Sequence, residues 1–377
     1  MRFYVFAPGF FLRPKNTDWL YNRTLPQVSQ FDPRVEVYLQ GSFLKSVQVN
    51  ARTAAGILKS RAKLPIPEEL LPEFESSFSL RDLRRSQADL VYGHSPTNVT
   101  HLPLICHTGP VFEEEMRARG VSETIIQREK DIKQRTIERS QLITLHSQVG
   151  ADTIRAIAGP RADRVRVLPF FLPHLSAIDR KEVEGKYAEI ASGGRIRFLF
   201  VGREARRKGL EWLLPAFEKL DSLFRGRLEL EIISTFADGP VQIPKLPNVS
   251  VRGETPRNEV KEKMHRAHIF LMPSRFETFG WVYLEALGAG AVTLAADLPT
   301  QREILADGQA GLLVPQSADA IVKALEPLLN EPSRMLALAL AGLERMKSAY
   351  DPHSVARQFY EVGLEAQELF RRDQRST

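Results

Sequence analysis

Two glutamates in the second half of the chain, Glu277 and Glu285, lie where a loop runs into a predicted helix. Pro273 and Gly280 interrupt regular structure, and the apolar segment WVYLEAL at 281–287 is typical of a short buried helix. A helix start carries free N–H groups and positive potential, which suit phosphates, and a carboxylate beside it can accept hydrogen bonds from sugar hydroxyls. The pair therefore predicts a polyol site, although glutamates at this spacing more commonly cap a helix or face solvent.

A cationic loop precedes these glutamates in the sequence. An apolar run ends at Gly202, and Arg203, Arg206, Arg207 and Lys208 crowd the turn that follows it. In open α/β sheets, ligands bind at the carboxyl ends of the strands, so cations placed directly after a strand are positioned to neutralise a diphosphate. Taken alone, basic residues in a loop are commonly a solvated patch.

Both segments need a scaffold, and the chain shows alternating strand and helix signals. Short β-branched or aromatic runs alternate with longer amphipathic segments, which predicts parallel sheets with helices on both faces. The expected strands of the first half are 3–7, 35–39, 89–92, 104–107, 142–145 and 165–168. After a polar segment, the expected strands are 196–201, 228–233, 249–251, 269–272, 291–295 and 312–314. The fold class is therefore α/β, with two Rossmann-like domains.

These motifs resemble the donor-binding half of a retaining glycosyltransferase of family 4, a family with the GT-B fold. The resemblance covers about residues 190–330 and is carried by the strand end FVGR and the KG that opens the next helix. It continues through NVSVRG (248–253), HIFLMPSRFETFG (268–280), LEALGAG (284–290) and DGQAGLLV (307–314). It implies two parallel-sheet domains with a cleft between them, and sugar transfer from a nucleotide-diphosphate-sugar without a metal or other cofactor.

The resemblance also implies a role for each matching residue. Glu277 would contact the transferred sugar, Glu285 would hold the nucleotide ribose, and Arg203 and Lys208 would bind the diphosphate. Backbone groups would supply the other donor contacts: Thr278, Phe279 and Gly280 to sugar or phosphate, and Val251, Arg252 and Gly253 to the base.

The first half of the chain is less informative. The spacing of His94, His101 and His107 matches no compact zinc pattern, so no metal site is expected. Cys106 is expected to be a buried apolar residue, because neighbours on a strand point to opposite faces and would not form a cysteine–histidine pair. His107 ends a predicted strand and resembles the family's histidine that approaches the donor sugar. The alternative is a hydrogen-bonded histidine at a strand end.

The expected domains are an acceptor domain at 1–175, a linker at 176–194 and a donor domain at 195–351. The segment after residue 351 has apolar residues at helical spacing. In the proteins that this chain resembles, the last helix crosses back to the first domain, so 352–377 is expected to complete it.

Composition limits the possible partners and location. The 377 residues are 43% hydrophobic and 26% charged, which is ordinary for a soluble globular protein. A net charge of +6 favours anionic partners in a general way. A single cysteine excludes an intramolecular disulfide and favours a reducing compartment, here the cytoplasm. Since no apolar run approaches the roughly 20 residues of a membrane span, any contact with the inner face of a membrane would be peripheral.

Other chemistries fit less well. The GAG at 288–290 is only part of a dinucleotide fingerprint and lies between a helix and a strand, and no P-loop occurs. The alternating charges of 128–139 favour a solvated helix face over nucleic-acid binding. The prediction is thus a glycosyltransferase whose acceptor is a glycan, a glycolipid or a small molecule. Two alternatives stay open: a non-catalytic nucleotide-sugar-binding or scaffold subunit, to which the atypical loop APGFF at 7–11 points, and a GT-B epimerase or phosphorylase.

Overall fold

The computed structural model of the protein describes most of the chain. The described residues are 1–6, 27–39, 83–84, 86–93, 101–169, 171–172 and 178–375. The loop at 7–11 and His94 therefore lie outside the described residues. The chain divides into two compact units, Met1–Pro173 with Pro352–Thr377, and His174–Asp351. The first is called the N unit and the second the C unit.

The N unit is built on a six-stranded sheet in which every pairing is parallel, in the order β2-β1-β3-β4-β5-β6. Its strands are β1 Arg2–Phe6, β2 Glu36–Leu39, β3 Leu90–Gly93, β4 Leu104–His107, β5 Leu142–Leu145 and β6 Val165–Val167. Its helices between these strands are α1 Val28–Phe31, α2 Glu113–Ala118, α3 Glu123–Arg139 and α4 Gln148–Ala158. Strands β3, β4 and β5 are buried at every residue, as expected for a parallel sheet covered on both faces.

The C unit also has a six-stranded parallel sheet, in the order β12-β11-β10-β7-β8-β9. Its strands are β7 Ile196–Val201, β8 Leu228–Ile233, β9 Val249–Arg252, β10 Ile269–Met272, β11 Val292–Ala296 and β12 Leu312–Val314. Its helices are α5 Arg180–Ala191, α6 Leu210–Phe224, α7 Arg257–Arg266, α8 Trp281–Gly288, α9 Pro299–Ile304, α10 Ala318–Leu329 and α11 Pro332–Ala349. The chain runs outward from β7 through β8 to β9 and then returns to β10 on the other side of β7, so the strand order reverses between β7 and β10.

The last helix, α12 Pro352–Arg375, packs in the N unit. Its Phe359 ring lies 4.4 Å from the Phe3 ring of β1, measured between centroids. A Cβ added at Gly363 would come within 2.6 Å of the same Phe3 ring, so the helix backbone closely approaches the sheet. Near its end, Asp373 accepts a hydrogen bond from Arg164 at 3.0 Å. The helix therefore supplies part of the N-unit core.

The prediction of an α/β protein with two Rossmann-like sheets is confirmed. All twelve expected strands are present, and their ends differ from the predicted ends by no more than one residue. The segment expected to be a linker contains α5, and Lys186 Nζ in this helix donates hydrogen bonds to the carbonyl oxygens of Ala267 and Ala289 at 2.9 and 2.8 Å. The sequence did not indicate that this helix packs in the C unit, because the helix is largely polar. The domain boundaries themselves stay a prediction.

Candidate functional site

The two motif loops meet at the point where the strand order of the C unit reverses. Loop 202–209 follows β7 and loop 273–280 follows β10, so both leave the carboxyl edge of adjacent strands, where ligands bind in open α/β sheets. The Arg275 amide donates a hydrogen bond to the Arg207 carbonyl oxygen at 2.7 Å. Gly209 has a φ of +81°, and a Cβ there would lie 2.0 Å from the Pro273 carbonyl oxygen. The contact between the loops therefore requires a glycine.

One ion pair joins these loops. Lys208 Nζ contacts Glu277 Oε1, and the side chains are only 12% and 6% exposed. Ser274 Oγ donates to the same Oε1 at 3.1 Å, and an Arg207 nitrogen lies 3.6 Å from it. Glu277 Oε2 has no hydrogen-bond partner within 178–375, which the structure describes without a gap. The loops thus orient Glu277 through one oxygen and leave the other available to a ligand.

Burial dominates the electrostatics of Lys208. It lowers the pKa of the Lys208 amine, and the negative charge of Glu277 partly opposes this effect. Arg207 also lowers this pKa, although its own guanidinium is held by Glu204 at 2.7 Å and by the Phe276 carbonyl oxygen at 3.0 Å. The result is a hydrogen-bonded, partly dehydrated cluster of charges at the carboxyl edge of the sheet.

The start of α8 presents backbone N–H groups beside this cluster. Its N-cap, Gly280, has a φ of +91°, and a Cβ there would lie 2.6 Å from the Tyr283 ring. Tyr283 is in turn held by its hydroxyl, which donates to the Met272 carbonyl oxygen at 2.7 Å. The amides of Thr278 and Gly280 donate no hydrogen bond to any residue of 178–375. Phe279, which lies between them, is buried. No acidic residue lies in the first turn, so the helix start is suited to an anion.

Glu285 lies on α8 and pairs with a different cation. Its Oε1 accepts a hydrogen bond from Arg257 at 2.6 Å, and Arg257 is the first residue of α7. No motif marks Arg257, because a single arginine in a highly charged helix is not distinctive. Gln316 was also missed, although its Nε2 donates to the carbonyl oxygens of Ser274 and Arg275 at 2.8 and 3.0 Å and so fixes the loop.

The other predicted donor contacts lie at the ends of β7 and β9. Arg203 is exposed, and its side chain forms no hydrogen bond or ion pair with any residue of 178–375. The Arg252 side chain donates to Glu231 Oε1 at 2.8 Å. Gly253 follows β9, and a Cβ added there would meet no atom within 4 Å. The structure thus brings Lys208 to Glu277, while the Arg252 side chain pairs with Glu231 instead.

His107 belongs to the N unit, where it ends β4 and is buried. Its Nδ1 lies 3.3 Å from Thr144 Oγ1, and its ring centroid lies 4.1 Å from that of His146. Tyr92 contacts the same hydroxyl of Thr144, at 3.1 Å. Cys106 is buried as expected, and burial raises the pKa of its thiol to about 12. This histidine therefore ends a buried strand in a network of polar side chains.

One residue of the segment 128–139 departs from the expected solvated face. Lys133 Nζ donates to Thr108 Oγ1 at 2.6 Å, and burial lowers the pKa of the Lys133 amine. Because the charges of this helix alternate, the sequence did not indicate that Lys133 faces the interior. Within the part of the chain that the structure describes, no group of three His, Cys, Asp or Glu side chains could hold a metal ion. In the same part, no helix is both long and apolar enough for a membrane span.

Comparisons with known proteins find similarity in the part of the chain that contains the two motif loops. Residues 195–331 match the family of glycosyl transferases group 1. Over 174 residues, the chain is 32% identical to the phosphatidyl-myo-inositol mannosyltransferase of Mycobacterium leprae, covering 44% of this chain and 45% of that protein. Over 182 residues, it is 27% identical to the alpha-maltose-1-phosphate synthase of Mycolicibacterium smegmatis, covering 43% and 46%. The matches span less than half the length of these two relatives.

Solved structures extend the likeness to the whole fold. Sucrose-phosphate synthase from Thermosynechococcus elongatus superimposes with a TM-score of 0.64 at 16% identity, covering 100% of both chains. HepE from Anabaena in complex with UDP-glucose superimposes with a TM-score of 0.62 at 15% identity, covering 96% of this chain and 98% of that one. The protein therefore has the GT-B fold. Within this fold, residues 195–331 are similar to the glycosyl transferases group 1 family.

Proposed function

We propose that the protein is a retaining glycosyltransferase that moves a sugar from a nucleotide-diphosphate-sugar to an acceptor. The observation that carries this proposal is the contact between Lys208 and Glu277, which joins the two motif loops at the reversal of strand order. A cation that suits a diphosphate and a carboxylate that suits sugar hydroxyls are thereby next to each other. A helix start adjoins them, and the amides of Thr278 and Gly280 before it donate to no residue of 178–375.

The proposed chemistry is electrostatic. As the bond between sugar and phosphate breaks, negative charge develops on the leaving diphosphate, and Lys208, Arg203 and the amides of Thr278 and Gly280 would stabilise it more than they stabilise the bound donor. Fixed cations of this kind would take the place of a divalent metal. Glu277 Oε2 would accept a hydrogen bond from the sugar and orient it.

The other predicted residues complete the proposal. Glu285 would hold the ribose, with Arg257 fixing its carboxylate. Phe279 would contribute its amide to sugar or phosphate, and Arg252 and Gly253 would border the base. His107 would approach the transferred sugar.

The comparisons suggest where to look for donor and acceptor. HepE binds UDP-glucose in its structure, which makes uridine donors the first to test. The relative named as a phosphatidyl-myo-inositol mannosyltransferase supports a glycolipid as the acceptor, and the one named as an alpha-maltose-1-phosphate synthase supports a small molecule, a sugar phosphate. The cytoplasmic location and a peripheral membrane contact stay predictions from composition.

The experiment pairs donor binding with turnover. Uridine, guanosine and adenosine diphosphates and their sugars are screened for a rise in melting temperature, because a ligand that binds only the folded state stabilises it. Turnover of the donor that binds is then measured for the native protein, Glu277→Gln and a control, Glu218→Gln, an exposed carboxylate on α6. We expect Glu277→Gln to lower turnover about 100- to 1000-fold, since one transition-state contact contributes roughly 3–4 kcal/mol. Glu218→Gln should behave like the native protein.

Two results would contradict this proposal. One is a folded Glu277→Gln variant with native turnover. The other is a donor that binds tightly but is neither transferred nor hydrolysed, which would instead support a non-catalytic binding subunit.

A further inference from the structure

A cavity of about 310 Å³ lies in the C unit, away from the motif loops. Arg195, Asn248 and Ala267 border it: Arg195 and Asn248 directly precede β7 and β9, and Ala267 lies two residues before β10. The cavity therefore lies toward the amino ends of these strands, whereas the loops 202–209 and 273–280 leave their carboxyl ends. Its volume is at the lower end of the range of about 300–1,000 Å³ that is usual for small-molecule sites.

The topology of the sheet explains why this cavity exists. The crossover from β8 to β9, residues 234–248, contains no helix, although the structure describes all of it. On one face, Phe198 pairs with Leu230 and packs against Phe217 of α6. On the other face, Glu229 and Glu231 of β8 are only half-buried; α7 packs against β7, and its Lys263 lies 3.1 Å from Glu231. The missing crossover helix thus leaves a polar surface beside α7.

Cations outnumber carboxylates in the wall of this cavity by two. The ionisable side chains are Arg195, Arg197, Lys263, Arg266, Glu229 and Glu231. Both carboxylates already have cationic partners: Glu229 accepts from Arg195 at 2.7 Å, and Glu231 lies 3.1 Å from Lys263. Arg197 is paired as well, with Glu189 at 2.9 Å, so Arg266 is the cation of this wall that has no carboxylate partner within 178–375. Its positive charge favours an anionic ligand.

Arg266 is an exposed residue of α7. Its guanidinium makes no hydrogen bond or ion pair with any residue of 178–375, although its carbonyl oxygen accepts a hydrogen bond from Arg197 at 2.8 Å. Guanidinium groups present paired donors that match the oxygens of a phosphate. Glu229, Glu231 and the exposed Ser250 add groups that accept hydrogen bonds from hydroxyls.

We propose that this cavity is a second ligand site, which binds a phosphate monoester of a small polyol. Arg266 and Arg195 bind the phosphate, and the side chains of β8 and β9 bind the hydroxyls. Because the site lies at the opposite edge of the sheet from Lys208 and Glu277, it is separate from the proposed donor site and independent of its chemistry.

The test uses glucose 6-phosphate as the probe, with glucose and inorganic phosphate as comparisons, in isothermal titration calorimetry. The variants are Arg195→Ala/Arg266→Ala, Lys208→Ala at the donor site, and a control, Arg180→Ala/Arg334→Ala, which removes two exposed arginines from the same unit. Circular dichroism melting verifies that each variant is folded. We expect glucose 6-phosphate to bind the native protein, Lys208→Ala and the control alike, and to bind Arg195→Ala/Arg266→Ala at least tenfold more weakly.

Several results would overturn this proposal. The native protein would show no saturable binding of glucose 6-phosphate, or Lys208→Ala would abolish binding while Arg195→Ala/Arg266→Ala retains it. If Arg180→Ala/Arg334→Ala weakened the binding of glucose 6-phosphate equally, the loss of affinity would be an effect of general surface charge. Equal affinity for inorganic phosphate would exclude recognition of the polyol. None of these readouts depends on donor binding or turnover.

Discussion

Lys208 and Glu277 form an ion pair from which water is largely excluded. Such pairs contribute little net stability, because both charges lose hydration on folding. Removing one partner is costly, however, since the other charge is then buried alone. A bound diphosphate would add a second anion close to Lys208. The pair is therefore suited to exchange contacts with a ligand more than to stabilise the fold.

This view predicts strong coupling between the two side chains. Lys208→Met alone should lower the free energy of unfolding by about 3 kcal/mol, because it leaves Glu277 charged and buried. The double variant Lys208→Met/Glu277→Gln should lose much less than the sum of the single variants. Urea denaturation of the native protein, both single variants and the double variant measures this coupling. Additive losses would mean that the two side chains do not interact.

Lys186 predicts a dependence of stability on pH. Burial lowers the pKa of its amine from 10.5 to about 7. Above that pKa the folded chain has released a proton that the unfolded chain still binds, up to about pH 10. The free energy of unfolding therefore rises with pH through this window, by at most about 1.4 kcal/mol per unit.

The measurement is urea denaturation at about pH 7 and about pH 9.5. Lys186→Met should reduce the rise in stability between these values, whereas Lys181→Met, an exposed lysine of the same helix, should not. Equal rises in the native protein and Lys186→Met would exclude this lysine as the cause.

Individual contacts could be predicted from the sequence only where both residues belong to a recognisable motif. Lys208 and Glu277 belong to distinctive segments, so their chemistry was proposed from the sequence alone. Arg257 and Lys133 have no such context, and whether a lysine in a charged helix faces solvent or a threonine hydroxyl depends on packing. Pairings such as Arg257 with Glu285 need coordinates, because they join elements that are distant in the chain.

The strands were predictable because each is a short, nearly continuous apolar run, as buried parallel strands are. Helix α5 was not, because its buried residues Val183, Tyr187 and Ile190 are dispersed among charged ones. The cavity beside α7 could not be predicted from the sequence either. It results from a crossover without a helix, and a coil segment gives no signal of the surface that it leaves uncovered.

Gly209 provides a test of how the two motif loops are held together. Gly209→Ala would place a methyl group 2.0 Å from the Pro273 carbonyl oxygen at a φ of +81°. We expect a loss of more than about 2 kcal/mol in the free energy of unfolding. The control is Gly185→Ala in α5, where a Cβ meets no atom within 4 Å and alanine should stabilise the helix by about 0.5–1 kcal/mol. Equal stability of the two variants would show that the loops do not need this close approach.

The two sheets of the compact units were predictable from composition and from the alternation of strand and helix signals. The sequence alone did not place α12, because an amphipathic helix fits many apolar surfaces; the resemblance to GT-B proteins directed it to the first domain. In the structure it packs through Phe359 on β1, with ring contacts to Phe3 and Tyr92.

We expect α12 to stabilise the N unit in particular. Phe359→Ala should cost about 3–5 kcal/mol, because it opens a cavity in the core. Leu364→Ala on the same helix should cost far less, since Leu364 is 46% exposed. Hydrogen exchange read strand by strand measures the effect, which should appear in β1 and β3 while β7 and β10 keep their protection. Equal loss of protection in all four strands would contradict a role limited to the N unit.

The position of α12 also affects how the protein is made. Residues 174–351 leave the ribosome before α12, so the C unit has its whole sequence available while the N unit still lacks a helix of its core. During that interval Phe3 and Leu90 lack the cover that α12 gives them, and uncovered apolar surface favours aggregation. The nascent chain is therefore a candidate substrate for chaperones until α12 emerges and packs against Phe3 and Leu90.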